Sequence, residues 1–446
     1  MKDKQSFFYG LGNLGYGVVS QTYSNFIMFF GTGVLGISGS IMGILIAIST
    51  LWDGFNDPFI GYLSDKFKNR HKFIIFGFVG MSIINVLLWC VPNCSTFFKC
   101  AWLLLFMMLL ETFNTCFHVP YSALSAEMGE NDEEALSYQK YKSIFFILSM
   151  LFPTIFMLFF FNGEVGMLSQ SGYIFIGIIT SLICLVGGIL CYKYSKKTLI
   201  KVLDNQPKSS FKESMIELYN SIKLFFSSFK DKNYSIIIVG YCLSLVICAF
   251  VTSLGFHAFN YSFAYSSMQV NILLFSLILF SILGQFFWTR IANKRSKKIA
   301  LVQGELLASV GLLLLFLNYL NVFKLSIEVS FIFSIILVGF VGFCSTVLYS
   351  IPLAIFNKII INNNKENNRL DTASHTGMLM LTYQIFNAIT SIILGVFLDV
   401  IKFDSNNIIQ TQQVNNSIVN MLLIGLFIIF IICATLHSFL DENKTN

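Results

Sequence analysis

Charge is what this chain has least of. Only 12% of its 446 residues are Asp, Glu, Lys or Arg, against roughly a quarter in an ordinary soluble domain. Residues 5–52 and 233–289 contain none at all. Such stretches are incompatible with a water-exposed globular surface, and the expected solvent is lipid. A nucleotide-binding loop, a zinc motif and a nucleophile elbow are equally missing, so no catalytic residue, cofactor or enzymatic activity is expected. The ten cysteines fall mostly within apolar runs without metal-ligand spacing and read as small packing residues. Cys94 and Cys100 lie near a loop and leave a disulfide open. Met1, Lys2, Asp3 and Lys4 lead into an apolar stretch that lacks a small-residue cleavage site and runs too long for a signal peptide, so the first span is expected to be retained. The formal net charge of +6 gathers on no soluble domain, which argues against nucleic acid as a partner.

What is abundant is apolar: 55% of residues are hydrophobic, 16% are aromatic, and the mean hydropathy is +0.72. A helix needs about 20 apolar residues to cross a hydrocarbon layer of about 30 Å. Twelve such runs are expected, at 8–35, 39–64, 73–93, 98–122, 139–161, 171–195, 234–261, 267–289, 299–320, 326–355, 374–399 and 415–439. Their continuity predicts helices, because a membrane barrel would show short alternating segments. With the N-terminus inside, all of the 29 Lys and Arg residues except Lys99, Lys324 and Lys402 fall on the cytoplasmic side. That bias predicts a multi-pass protein of the cell membrane with both termini cytoplasmic.

The charge-free stretches also reveal a repeat. Each begins a half, crosses twice through an uncharged outer loop and ends at a basic cluster: Lys66, Lys68, Arg70 and Lys72 in one half, Arg290, Lys294, Arg295, Lys297 and Lys298 in the other. The expected organisation is an N-terminal six-helix bundle over 1–195, a cytoplasmic linker over 196–233 and a C-terminal six-helix bundle over 234–446. An amphipathic piece in the linker, 211–229, is expected to lie on the inner membrane surface. Two six-span halves make this an all-α membrane protein of the major facilitator fold, with substrate expected near mid-membrane between the halves.

Polar residues inside spans carry the functional signal, because charge in hydrocarbon is costly and normally faces a cavity or a partner. Span two contains Trp52, Asp53, Gly54, Phe55, Asn56, Asp57 and Pro58. Asp53, Asn56 and Asp57 are spaced i, i+3 and i+4, hence on one helical face. Two carboxylates and an amide are oxygen donors suited to a hard cation, and a charge pair with a basic residue of another span is the alternative. Pro58 removes a backbone donor, so a local distortion that frees a carbonyl is expected. Span four offers Glu111, Asn114, Thr115 and His118 on one face, with Thr115 at a depth matching 53–57. Glu111 reads as a carboxylate that pairs with His118 or binds a proton. Tyr16 of span one and Gln384 and Asn387 of span eleven add donors, acceptors and a stacking surface for a hydroxylated solute.

Residues 52–58, together with Val119, Pro120, Tyr121, Ser122, Ala123 and Leu124 followed by Glu127, resemble the second- and fourth-helix signatures of the glycoside-pentoside-hexuronide:cation symporters, the melibiose permease-like family of the major facilitator superfamily. Tyr9, Gly10, Leu11 and Gly12 fit the same family, and the match is concentrated in the first 150 residues. The resemblance implies that Asp53, Asn56, Asp57 and Thr115 bind Na+ as the coupling ion, with Li+ or H+ as substitutes. It also places one sugar-binding carboxylate at Gly17 and another at His118, so neither acid is retained. A basic sugar ligand is matched only by Lys140 or Lys142. The expected activity is cation-coupled symport of a small polar solute, such as a sugar or glycoside, by alternating access. The alternative is a proton-coupled transporter of a drug-like or lysolipid substrate on the same fold.

Overall fold

The computed structural model describes residues 2–66, 70–127, 138, 141–142, 144–146, 148–153, 156, 169–203, 229–348, 351–356, 358–359, 372–404 and 410–441. The chain separates into two compact units, Met1–Met215 and Ile216–Asn446. In the first, α1 (Lys2–Phe29), α2 (Gly39–Lys66), α3 (Arg70–Trp89), α4 (Thr96–Glu127) and α5 (Gln170–Leu203) follow in order. The described residues between 138 and 156 are helical and, from 141 on, lie on the fifth expected span. In the second unit come α6 (Lys232–His257), α7 (Ser267–Lys294), α8 (Lys297–Tyr319), α9 (Ile327–Ser345), α10 (Thr372–Val400), α11 (Gln412–Val419) and α12 (Gly425–Ser438). Most of the expected linker, including the amphipathic piece and Pro207, lies outside the described residues.

Nine helices among the described residues are long and apolar enough to cross a membrane. The helices α1 and α2, each of 28 residues, are long enough but do not reach that apolarity. Polar side chains dilute them, and on α2 those are the candidate site residues. Helix starts follow side-chain chemistry. Asp231 accepts from the backbone N–H of Asn233 and Tyr234 ahead of α6, Ser266 and Gln269 form a capping box at α7, and Ser326 and Thr411 cap α9 and α11. Each supplies an acceptor to donors that a first helical turn leaves unpaired.

Exposed apolar stripes mark the lipid-facing sides. Along α2, Ile41, Ile44, Ile48, Leu51, Phe55 and Phe59 recur at three- and four-residue intervals and all are exposed; along α5, Phe175, Ile178, Leu182, Val186 and Ile189 do the same. The interior of each unit is mainly large apolar and aromatic side chains, Trp89, Tyr173 and Phe430 among them, with polar residues buried between them. Asn85 of α3 donates through Nδ2 to Gly177 O (3.1 Å), Thr180 Oγ1 (2.8 Å) and Ser181 Oγ (3.0 Å) of α5. Such interhelical bonds hold spans together where lipid offers no competing partner.

The repeat seen in the charges extends to packing. In the first unit α1 packs on α5, α3 on both α4 and α5, and α2 on α4; in the second, α6 packs on α12, α8 on α9 and α12, and α7 on α9. The opening helix of each unit also ends alike, in a π turn: Phe30–Val34 after α1 and Ala258–Ser262 after α6. A third π turn, Asn420–Ile424, joins α11 to α12. The distortion expected at Pro58 does not break α2, and α4 likewise runs through Pro120. A proline removes one backbone donor only, and neighbouring helices stabilise the rest of the turn.

Candidate functional site

The polar face of α2 lies opposite its lipid stripe. At about 100° per residue, Asp53, Asn56 and Asp57 fall between roughly 100° and 200° from Phe55. Phe55 is 71% exposed and Asn56 5%. The facing helix is α4. Thr115 is buried and donates through Oγ1 to Asp53 Oδ1 at 3.1 Å, and it is within hydrogen-bonding reach of Asp57 as well. The side chains of Asp53, Asp57 and Thr115 therefore meet across the α2–α4 contact.

A residue that sequence spacing did not single out organises the rest. Thr112 Oγ1 accepts from Asn56 Nδ2 and from Trp52 Nε1, both at 2.9 Å, and donates to Met108 O at 2.8 Å. With its amide nitrogen committed to Thr112, Asn56 retains its carbonyl oxygen as the remaining polar atom. A hydroxyl three residues before Thr115 is the signal that could have identified Thr112, since positions three apart share a helix face. Two carboxylates, an amide and a hydroxyl form an all-oxygen donor set that suits a hard cation rather than a transition metal. Among the described residues no group of three or more His, Cys, Asp or Glu side chains forms a metal site.

Helix α1 borders this face with aromatic side chains. Tyr16 is within electrostatic reach of Asp53, Glu111 and Asp57, and its ring stacks on His118 with centroids 4.8 Å apart and planes 17° apart. Tyr23 bonds Ser49 at 3.4 Å and interacts electrostatically with Glu111 and Asp53. The pairing of Glu111 with His118 that spacing allowed gives way to other partners. Asn114 Nδ2 donates to Glu111 Oε2 at 3.1 Å, while His118 Nε2 lies 3.3 Å from Ser122 Oγ. The other amide atom of Asn114, its Oδ1, is buried without a hydrogen bond. A stack continues away from Tyr16 through Phe117, Tyr121 and Tyr9, with Lys142 Nζ 4.9 Å from the Tyr121 ring centre. Lys140 lies outside the described residues. Gln384 and Asn387 occupy α10 in the second unit, Gln384 being buried and Asn387 half-buried.

Gly17 sits at a close helix approach whose partner is Ser149. A Cβ added there would overlap Ser149 Oγ and lie 2.7 Å from Ser149 Cβ. The volume next to the Gly17 Cα is occupied by the side chains of Ser149 and Phe146 from the fifth-span segment, so the missing acid is built into the packing. Cys94 and Cys100 are both free thiols.

The description of the MFS/sugar transport proteins matches residues 8–443. The chain belongs to that family. Its fold is the major facilitator fold. Across 99% of both chains it superposes on a D-xylose–proton symporter with a TM-score of 0.67 at 12% identity, and it matches the nucleoside transporter NupG with a TM-score of 0.65 at 15% identity. This MFS/sugar transport protein is 32% identical over 146 residues to a protein of Escherichia coli (strain K12) designated a glycoside/cation symporter, covering 32% of this chain and 31% of that one. It is 24% identical to the isoprimeverose transporter of Lactiplantibacillus pentosus, over 70% of this chain and 64% of that one. It is also 28% identical to the sodium-dependent lysophosphatidylcholine symporter 1 of Gallus gallus, over 33% and 28% of the two chains. The first relatives are matched over about a third to two fifths of their own length.

Proposed function

We propose that this protein is a secondary transporter that moves a small solute together with Na+ by alternating access. The meeting of Asp53 and Asp57 with Thr115 across the α2–α4 contact carries this reading. In hydrocarbon, two adjacent carboxylates repel and are poorly solvated. A bound cation relieves both costs, with Asn56 adding a neutral oxygen. Because α4 also carries Glu111 and His118, and Tyr16 stacks on His118 within electrostatic reach of Asp53 and Asp57, ion and solute occupy neighbouring positions. Occupation by one then raises the affinity for the other by an equal factor. Relatives designated glycoside/cation, isoprimeverose and sodium-dependent lysophosphatidylcholine symporters support symport as the activity.

Gly17 bears on the solute. Packing against Ser149 leaves no space for a carboxylate, so a sugar here is held through His118, Tyr16 and Glu111 rather than through an acid of the first helix. The same observation favours, as a second reading, an amphipathic solute of the lysolipid class, which would use the aromatic stack in place of hydroxyl-binding acids. Purified protein screened against both classes for thermal stabilisation, with and without Na+, separates the two.

Asp53→Asn and Asp57→Asn test the ion site. Each keeps size and one ligating oxygen while removing the charge that offsets cation dehydration. Equilibrium binding of radiolabelled Na+ to the purified protein should fall more than tenfold in either variant, a loss above about 1.4 kcal/mol. Wild-type protein that binds no Na+, or variants that bind it normally, would remove these residues from the coupling role.

A further inference from the structure

Two ionisable side chains lie buried in the second unit, in neither expected site. Glu305 of α8 and His437 of α12 are both fully buried, and His437 Nδ1 lies 2.6 Å from Glu305 Oε1. The remaining polar atoms of the pair, Glu305 Oε2 and His437 Nε2, have no hydrogen-bond partner. Helix α6 closes the third side through Gly240, where an added Cβ would overlap the imidazole, 2.8 Å from Cε1. A missing side chain on α6 therefore makes the room that His437 fills.

The titratable groups around the pair are thiols and a phenol. Cys433, one turn before His437 on α12, interacts electrostatically with Glu305. Tyr241 and Cys242 follow Gly240 on α6. Cys344 comes from α9, where its carbonyl lies beside Gly304, the neighbour of Glu305 in α8. The basic residues nearest along the chain are Lys294 at the end of α7 and Lys297 and Lys298 at the start of α8, the last two separated from Glu305 by about 10 Å or more of helix.

Charge balance decides what this arrangement holds. An ionised Glu305 against a neutral imidazole would leave a net negative charge in a dry interior, an outcome that costs several kcal/mol. One added proton makes the pair neutral overall. With Nδ1–H donated to Oε1, that proton resides on Nε2 or Oε2, the two atoms that lack a partner. We propose that Glu305 and His437 form a single-proton binding site in the second unit, made of residues separate from the acidic face of α2 and α4. The bound proton fastens α12 to α8, and its release leaves an uncompensated carboxylate that weakens their contact. The bias of basic residues assigns this end of α8 to the cytoplasmic side, so the pH there sets occupancy. The proposal does not depend on whether the first unit binds Na+.

The test uses full-length protein with its five histidines labelled with nitrogen-15, titrated from about pH 5 to 10, so that a proton held more tightly than on a free imidazole is also followed. Ring nitrogen signals report the state of His437, the infrared C=O stretch reports a protonated Glu305, and a pH-indicator dye counts released protons. Wild type should release one proton per chain in step with a change in the His437 signal or the Glu305 stretch. Glu305→Gln should abolish that release, as should Glu305→Gln combined with His437→Gln, which keeps an amide–amide hydrogen bond in place if the single variant fails to fold. Cys433→Ser should leave the release intact. A pair whose signals stay constant over the whole range, a release unchanged in the Gln variants, or a release lost in Cys433→Ser would each overturn the site.

Discussion

Replacing Gly17 with alanine adds one methyl group where α1 touches the fifth-span segment, and the sign of its effect distinguishes packing from propensity. In an open helical position the change stabilises, because alanine exceeds glycine by about 1 kcal/mol in helix propensity. At Gly17 the new Cβ meets Ser149 below contact distance, and overpacking of this kind costs about 1–3 kcal/mol. The balance is therefore roughly neutral to about 2 kcal/mol destabilising. For a unit of this size that lowers the melting midpoint by up to several degrees, at about 2–4 °C per kcal/mol. Ser149→Gly should restore the space, so the Gly17→Ala/Ser149→Gly double variant should recover part of the loss, with a coupling of about 1–2 kcal/mol within the range seen for touching residues. Thermal unfolding of the four proteins in one detergent, followed by tryptophan fluorescence, measures the cycle. If Gly17→Ala melts above wild type, or the two changes are additive, the close approach is wrong and the absence of a first-helix acid needs another explanation.

Thr112→Val, nearly equal in shape, removes the acceptor shared by Trp52 and Asn56; leaving a buried amide unpaired costs about 1–3 kcal/mol, and Na+ affinity measured by calorimetry should drop while Thr112→Ser retains it. His118→Ala should weaken binding of whichever solute stabilises the protein by more than tenfold, about 1.4 kcal/mol, with Na+ binding alone preserved; unchanged solute affinity would reduce His118 to a packing partner of Tyr16. Single cysteines placed in 196–233 should react with a membrane-impermeant maleimide only after cells are opened, and labelling of intact cells would reverse the assigned topology.

The all-helical fold, the polar face of α2 and its meeting with α4 were legible because lipid imposes a strong code: long apolar runs, basic inner loops and costly charges leave few ways to arrange a span. Asp53, Asp57 and Thr115 could be matched by depth along two helices running the same way. Contacts fixed only by how helices rotate against one another were hidden. Thr112 looked like one more hydroxyl until its two donors converged on it. Glu305 and His437 are 132 residues apart, and each alone resembles a stray polar residue in an apolar span. Gly10, Gly12, Gly15 and Gly17 allow a close helix approach, but only the structure names Ser149 as the neighbour at Gly17. Pro58 suggested a local distortion, and α2 runs through it as a continuous helix.

The paired π turns at Phe30–Val34 and Ala258–Ser262 also bear on ancestry. Their matching places, at the end of the first helix in each unit, fit descent of both units from one duplicated precursor that already contained the extra residue. Such a residue is hard to shed afterwards. Deleting it would turn everything on one side of the bulge by about 100° relative to the other, swinging Tyr16 and Tyr23 out of register with the loop that leads into α2. Insertions and deletions at this point are therefore closed to gradual change, while side chains further along the same helices remain free to be exchanged one at a time. An irregularity inherited in this way lets two halves keep a common frame after their chemistry has diverged, one carrying an acidic face and the other a buried carboxylate–imidazole pair.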